Sequence, residues 1–208
     1  MLPTSTPLIV TIPLITFDRP TPTVLPPPPP PPSTTSQGLF LTDLPIPNVP
    51  HSLPEPFEAP HLIVPIDRAN PTKVIGNGYT AQLSPIISTV FVYDVSPAHQ
   101  GNTCTLVFLM PPAFEYSEFA PVKTRAPGGI SVSRLNNQVS AEVSASNVGD
   151  SSPVGGVALI QPGYQYNIAS APCEAGQSVG YQVDSLYGLD MDWFQMTNPP
   201  LGLFMLVS

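Results

Sequence analysis

The stretch ISTVFVYDVSPAHQGNTCTLVFLM at residues 87–110 holds two runs of β-branched, aromatic and aliphatic residues separated by a short polar segment. Runs of this length, bounded by turn formers, read as strands. In the first run Val90 and Val92 share one side of a pleated chain, so at least one face is buried, and Asp94 marks the exit into the Ser96-Pro97 turn. The second run starts at Thr103 and stays apolar to Met110. The pair sets the fold class as all-β.

The same pattern continues outward from this stretch. Further candidate strands fall at residues 62–66, 79–83, 130–134, 139–145, 157–160, 164–169, 178–183, 193–196 and 202–207, spaced by roughly 8–15 residues with no convincing helix among them. A single turn of helix around residues 114–119 is the one helical alternative. Gly76-Asn77-Gly78, Pro127-Gly128 and Pro162-Gly163 read as tight reversals, the last joining 157–160 to 164–169 as a hairpin. The architecture expected is an antiparallel β-sandwich of jelly-roll or Ig-like type.

Composition divides the chain in two. Of 31 prolines, 19 fall in residues 1–65 and 12 in residues 66–208. Residues 1–60 therefore read as a disordered, proline-rich arm or stalk, and residues 61–208 as one β domain of ordinary size. The unbroken proline run at 26–32 forms a polyproline II spacer of about 22 Å, or a ligand for grooves of the SH3 or profilin type. No Lys or Arg flanks the run to orient it, which favours the spacer. In an exported protein Thr4, Thr6, Thr21, Thr23 and the hydroxyls at 33–36 are O-glycan acceptors.

Charged residues make up 10% of the chain, with a net charge of -8, against about 25% charged in average soluble proteins. The six cationic residues are dispersed, so no basic surface exists to neutralise phosphates, and nucleic acid is excluded as a partner. No apolar segment reaches the roughly 20 residues that a membrane-spanning helix needs. The first residues lack a basic n-region and carry Pro3, Pro7 and Pro13, so no usable signal peptide is visible. An exported protein of this kind is expected to carry its leader upstream of Met1.

Four segments carry a family resemblance: GNTCTLVFLMPP at 101–112, GGISVSRL at 128–135, VALIQPGYQYNIASAPCEAGQSVGYQV at 157–183 and DWFQMTNPPLGLFML at 192–206. Together they resemble the But2 C-terminal-domain family of fungal proteins, from about Asn70 to the C-terminus. The best markers are Cys104 with the apolar run after it, the Pro-Gly pair before Cys173, and the closing Phe194-Gln195 and Asn198-Pro199. The resemblance implies a β-sandwich-like module, frequent in secreted fungal proteins, with few assigned activities. Its name implies a partner, a ubiquitin-like-protein activating enzyme. The proline-rich arm lies outside it.

Cys104 and Cys173 both sit beside strands. In a secreted protein they form a disulfide closing a loop of 69 residues, and in a cytosolic one they are two inert buried thiols. Zinc lacks ligands, since His99 alone lies well inside the domain and His51 and His61 belong to the arm and its junction. The same scarcity leaves Cys104 without a base other than His99, so no catalytic residue and no cofactor is assigned.

Asp184, Asp190 and Asp192 in VDSLYGLDMDWF form the densest acidic patch, expected as an acidic loop. Such carboxylates suit calcium or, at the right separation, acid and base work on a glycosidic bond, although solvated turn chemistry is the commoner role. Tyr164, Tyr166, Tyr181, Tyr187 and Trp193 offer an aromatic platform for sugar rings, competing with core packing. Trp193 reads as core and Tyr187, in a loop, as the exposed candidate ligand residue. Asn70 is followed by Pro71 and makes no glycosylation sequon.

These readings lead to a non-enzymatic secreted or cell-surface module in the extracellular space or cell wall, contacting wall glycan or a surface protein. The alternative is a cytoplasmic adaptor that binds a ubiquitin-like-protein activating enzyme. A glycan-active enzyme is the third class.

Overall fold

The structure, a computed structural model, describes residues 46–47, 49–115 and 122–208, all within one compact unit, Ser36–Ser208. The proline run at 26–32 and the hydroxyl residues at 33–36 lie outside the described residues. In chain order the strands are β1 Ile46–Pro47, β2 Phe57–Glu58, β3 Leu62–Asp67, β4 Thr80–Leu83, β5 Ile87–Asp94, β6 Thr103–Met110, β7 Lys123–Ala126, β8 Gly129–Leu135, β9 Ser151–Val157, β10 Tyr164–Pro172, β11 Ser178–Leu186, β12 Asp190–Phe194, β13 Met196–Thr197 and β14 Pro200–Val207. The only helical pieces among the described residues are 3-10 turns at Pro97–His99 and Ala113–Glu115.

All strand pairs are antiparallel. One sheet runs β1-β10-β6-β14-β13, with β2 also on β14, and a second runs β3-β5-β11-β8-β9. A small third sheet, β4-β12-β7, joins them at one end. The two large sheets face each other across a core that includes Phe91 and Tyr93 on one side and Leu106, Phe108, Leu203 and Met205 on the other. The all-β sandwich expected from the sequence is the fold found.

Both large sheets are also covered on their outer faces. Val90 and Val92 of β5 pack under Val143, Val139 and Val148, while Val107, Leu109 and Phe204 pack under Val49, Leu53 and Phe57. This double burial is why β5 and β6 read as continuous apolar runs instead of alternating ones. The residues at 139–145, expected to be a strand, form turns over the five-stranded sheet instead. Asn and Ser in this segment bond locally to the backbone, with Asn147 Oδ1 accepting from Ser144 N at 2.7 Å, and this local bonding competes with a ladder.

Two reversals differ from expectation. β9 pairs with β8 while β10 pairs with β6, so Pro162-Gly163 carries the chain from one sheet to the other and forms no hairpin. Gly163, at φ 89°, donates its N–H to Met110 O at 2.7 Å at this crossing. Pro127-Gly128 likewise connects β7 and β8, which belong to different sheets. Residues 46–58, counted with the arm by composition, place β1 on β10, β2 on β14, and Val49 and Leu53 over the six-stranded sheet.

Histidines line that covering segment. His99 Nε2 lies 3.0 Å from Glu58 Oε1, His61 Nδ1 3.2 Å from Asp94 Oδ2, and His51 Nδ1 3.7 Å from Glu115 Oε2. Each pair joins residues 51–61 to a different part of the chain, and no group of three or more metal-ligating side chains occurs among the described residues.

Asp67 ends β3 by accepting from Ala69 N at 2.9 Å, Asn70 N at 3.2 Å and Asn70 Nδ2 at 2.9 Å. The Asn70 side-chain bond above all, with the two backbone bonds, holds this carboxyl below the usual aspartate range. A carboxyl depressed in the folded state stabilises above its unfolded value, near pH 4, and loses that contribution as pH falls through its lower folded value. Asp67→Asn is therefore expected to flatten the fall of Tm with pH below about 4, measured by calorimetry against the parent.

Candidate functional site

The three aspartates do not share one loop. Asp184 lies on β11, where it accepts from Ser88 Oγ at 2.5 Å, from Gln182 Nε2 at 3.0 Å and from the Arg68 guanidinium. Asp190 and Asp192 flank Met191 on β12 and both bind Arg125 of β7, with Arg125 Nη1 2.7 Å from Asp190 Oδ1. The Asp192 bond first, and then the Asp190 bond, push the Arg125 guanidinium further above its already high range, so it stays charged. Each carboxylate thus has a cation beside it. These guanidinium groups offset the negative charge that a calcium ion would draw on.

Tyr187 stands apart at the tip of the β11–β12 connection. Its φ of 54° and the 81° of Gly188, with Leu189 N donating to Leu186 O at 3.1 Å, make a tight turn of primed type that leaves the ring exposed. The other aromatics of the expected platform do not join it. Trp193 and Tyr166 are buried, Tyr164 packs at 6.4 Å against Tyr166, and Tyr181 lies at 5.8 Å from the Arg134 guanidinium carbon.

A different aromatic pair walls a concave site. Tyr79, just before β4, and Phe194, at the end of β12, lie with ring centroids 5.8 Å apart and planes tilted by 35°. They wall a cleft of about 400 Å³, a volume in the range of ligand sites. Ala59, Pro60, Ile63, Met196, Thr197, Asn198 and Phe204 also line it. Tyr79 is 73% exposed, an unusual position for a tyrosine ring beside apolar residues. No charged residue lines the cleft.

Gln195 fixes this end of the fold. It is buried, its Oε1 accepts from Leu203 N at 3.0 Å and Trp193 Nε1 at 3.3 Å, and its Nε2 donates to Leu203 O at 2.8 Å. The side-chain amide thereby continues the ladder of β14 past β13, and its backbone N donates to Tyr79 O at 2.8 Å. Gly202 makes room for it: a Cβ there would meet Gln195 Oε1 at 1.9 Å, and the φ of 113° suits only glycine. Gln195→Leu leaves the Leu203 and Trp193 N–H groups buried without acceptors. It is expected to lower stability by about 2–4 kcal/mol, read as a shifted urea midpoint at unchanged slope.

Sequence reasoning missed Tyr79 because it opens a candidate strand, where an aromatic signals burial. Phe194-Gln195 and Asn198-Pro199 entered only as family markers. Of these, Phe194, Gln195 and Asn198 line this cleft.

Fold and site define a two-sheet antiparallel sandwich with a neutral, aromatic-walled cleft. The family model described as "Ubiquitin 3 binding protein But2 C-terminal domain" matches residues 58–199, and the chain belongs to that family. Its description is that of a binding protein. No curated protein matches the chain.

Proposed function

We propose that the domain is a non-enzymatic protein-binding module with a partner in the ubiquitin pathway, engaged through the Tyr79–Phe194 cleft. The observation that carries this reading is the cleft itself, apolar, uncharged and presenting an exposed aromatic ring, the composition of a protein-contact site. The family description, which names ubiquitin 3 binding, supports the class of partner. The pairing of Asp184 with Arg68, and of Asp190 and Asp192 with Arg125, supports a role without acid–base chemistry. Calorimetric titration of the full chain with ubiquitin, ubiquitin-like proteins and their activating enzymes is expected to give saturable binding to one of them, weakened at least tenfold by Tyr79→Ala. Absence of binding across that set defeats the proposal.

A second reading, display outside the cell on a proline-rich stalk, is favoured by one observation: the bond between Cys104 and Cys173, since disulfides persist in oxidising compartments. The intact mass of the native protein without reductant is then two hydrogens below that of the reduced chain. Two free thiols overturn this reading.

A further inference from the structure

We propose that Asn77 is a self-modification site: its side-chain amide is converted to a carboxylate through attack by the Gly78 backbone nitrogen, and the contact of this turn with the edge of β3 sets how often that happens.

Asn77-Gly78 is the only Asn-Gly pair in the chain. Glycine has no Cβ to shield the nitrogen that follows the asparagine, so this dipeptide is the one most prone to lose the side-chain amide. The step needs no reagent but water. The Gly78 nitrogen bonds to Asn77 Cγ, the Cγ–Nδ2 bond breaks, and ammonia leaves with the proton that the Gly78 nitrogen gives up. The product is a five-membered imide, and water opens it at either carbonyl. One opening gives aspartate. The other gives isoaspartate, in which the main chain runs through the former side chain and is longer by a methylene.

In the folded domain both reacting groups are held by one residue. Ile63 N donates to Asn77 Oδ1 at 2.8 Å, and Gly78 N donates to Ile63 O at 3.0 Å. β3 is an edge strand of the five-stranded sheet, paired on its other side with β5, so the two bonds close its outer edge at Ile63. Ile63 is 3% exposed, and a Gly78 nitrogen that gives up its proton or turns toward Asn77 Cγ leaves the Ile63 carbonyl without its donor. Asn77 itself is exposed, so water reaches the imide once it forms. The reaction therefore proceeds from the minor state in which the turn has left β3.

The product reaches the cleft. Tyr79 follows directly on Gly78, its O accepts from Gln195 N at 2.8 Å, and both Tyr79 and Ile63 line the cleft. An added methylene between residues 77 and 78 displaces Tyr79 relative to Phe194, and it does so whatever the cleft binds.

The test incubates the full chain in mildly alkaline buffer, native and in concentrated urea, and locates the exchange of NH2 for OH by peptide mass mapping. Conversion at Asn77 is expected in both, at least tenfold slower in the native protein, and strongly slowed in urea by Gly78→Ala. That variant is also expected to fold, since its Cβ meets only Thr80 N, at 3.9 Å. Equal rates in native and unfolded protein overturn the protective contact, and parent-like conversion of Gly78→Ala in urea overturns the attack by Gly78. On warming the native protein, conversion and hydrogen exchange of the Gly78 amide are expected to rise together. Conversion that rises while this exchange stays constant overturns the gating by β3. The isoaspartate form, refolded and separated by charge, is expected to show a shifted Tyr79 ring signal in NMR, whereas Asn77→Asp, which adds the charge without the methylene, keeps that of the parent. A parent-like signal in the isoaspartate form, or an equal shift in Asn77→Asp, overturns the link from main-chain length to the cleft.

Discussion

Trp193→Ala is expected to destabilise the domain by about 3–5 kcal/mol, the largest effect of any single side chain here. Trp193 is 1% exposed although it belongs to the small third sheet. Its indole stacks on Phe91 of the five-stranded sheet, with centroids 6.0 Å apart and planes 14° apart. It meets Phe108 of the six-stranded sheet edge-on at 5.3 Å. One ring therefore touches all three sheets, and its removal opens a void where no neighbour is free to collapse. The same change orphans Gln195 Oε1 on one side. Trp193→Phe keeps most of the contact and loses only the Nε1–H bond to Gln195, so it is expected to cost clearly less. Equal losses in the two variants, measured by urea unfolding, would show that the hydrogen bond and not the packed volume holds the junction.

Opening the Cys104–Cys173 bond is the second large effect. The cysteines are 69 residues apart in sequence, and closing a loop of that length restricts the unfolded chain by about 4 kcal/mol in the chain-entropy account. In the folded state the bond joins neighbours already paired: Cys104 lies opposite Ala171 in the β6–β10 ladder, and Cys173 N donates to Asn102 O at 2.9 Å. The ladder therefore survives reduction, and the loss falls on the equilibrium with the unfolded state. Reduced protein and the Cys104→Ala, Cys173→Ala double variant are expected to keep the native far-ultraviolet spectrum while the urea midpoint drops. A native midpoint unchanged by reduction would contradict this account.

Much of this fold is readable in the chain because apolar β-formers declare burial directly. Thr103–Met110 has the bounds expected from its sequence, and β5, β11 and β14 differ only at their ends. Partner choice is another matter. A strand's residues state which side is buried and not which neighbour accepts its hydrogen bonds, so Pro162-Gly163 looks like a hairpin and is a crossing between sheets. β7, with the sequence KTRA, carries no apolar signal because it is a solvent-exposed strand held by backbone pairing to β12 and by Arg125.

The candidate site was less legible for a related reason. Asp184, Asp190 and Asp192 are close in sequence, but β11 and β12 belong to different sheets, so Asp184 pairs with Arg68 while Asp190 and Asp192 share Arg125. Arg68 and Arg125, which neutralise them, lie far away in sequence. The cleft is assembled from four separate stretches, around residues 59–63, 79, 194–198 and 204, and no local pattern announces such a meeting. Gln195, whose buried amide holds this end of the fold, stood out in the sequence only as part of a family marker.

The cover over the outer face of the six-stranded sheet has a practical consequence for anyone shortening this protein for the laboratory. A cut at residue 60, where proline content falls, would remove Val49, Leu53 and Phe57 and uncover Val107, Leu109 and Phe204. A contiguous apolar patch exposed in this way is an aggregation liability. A chain starting before Ile46 is expected to stay monodisperse in light scattering where one starting at residue 61 aggregates, even though both contain nearly all of the matched family region.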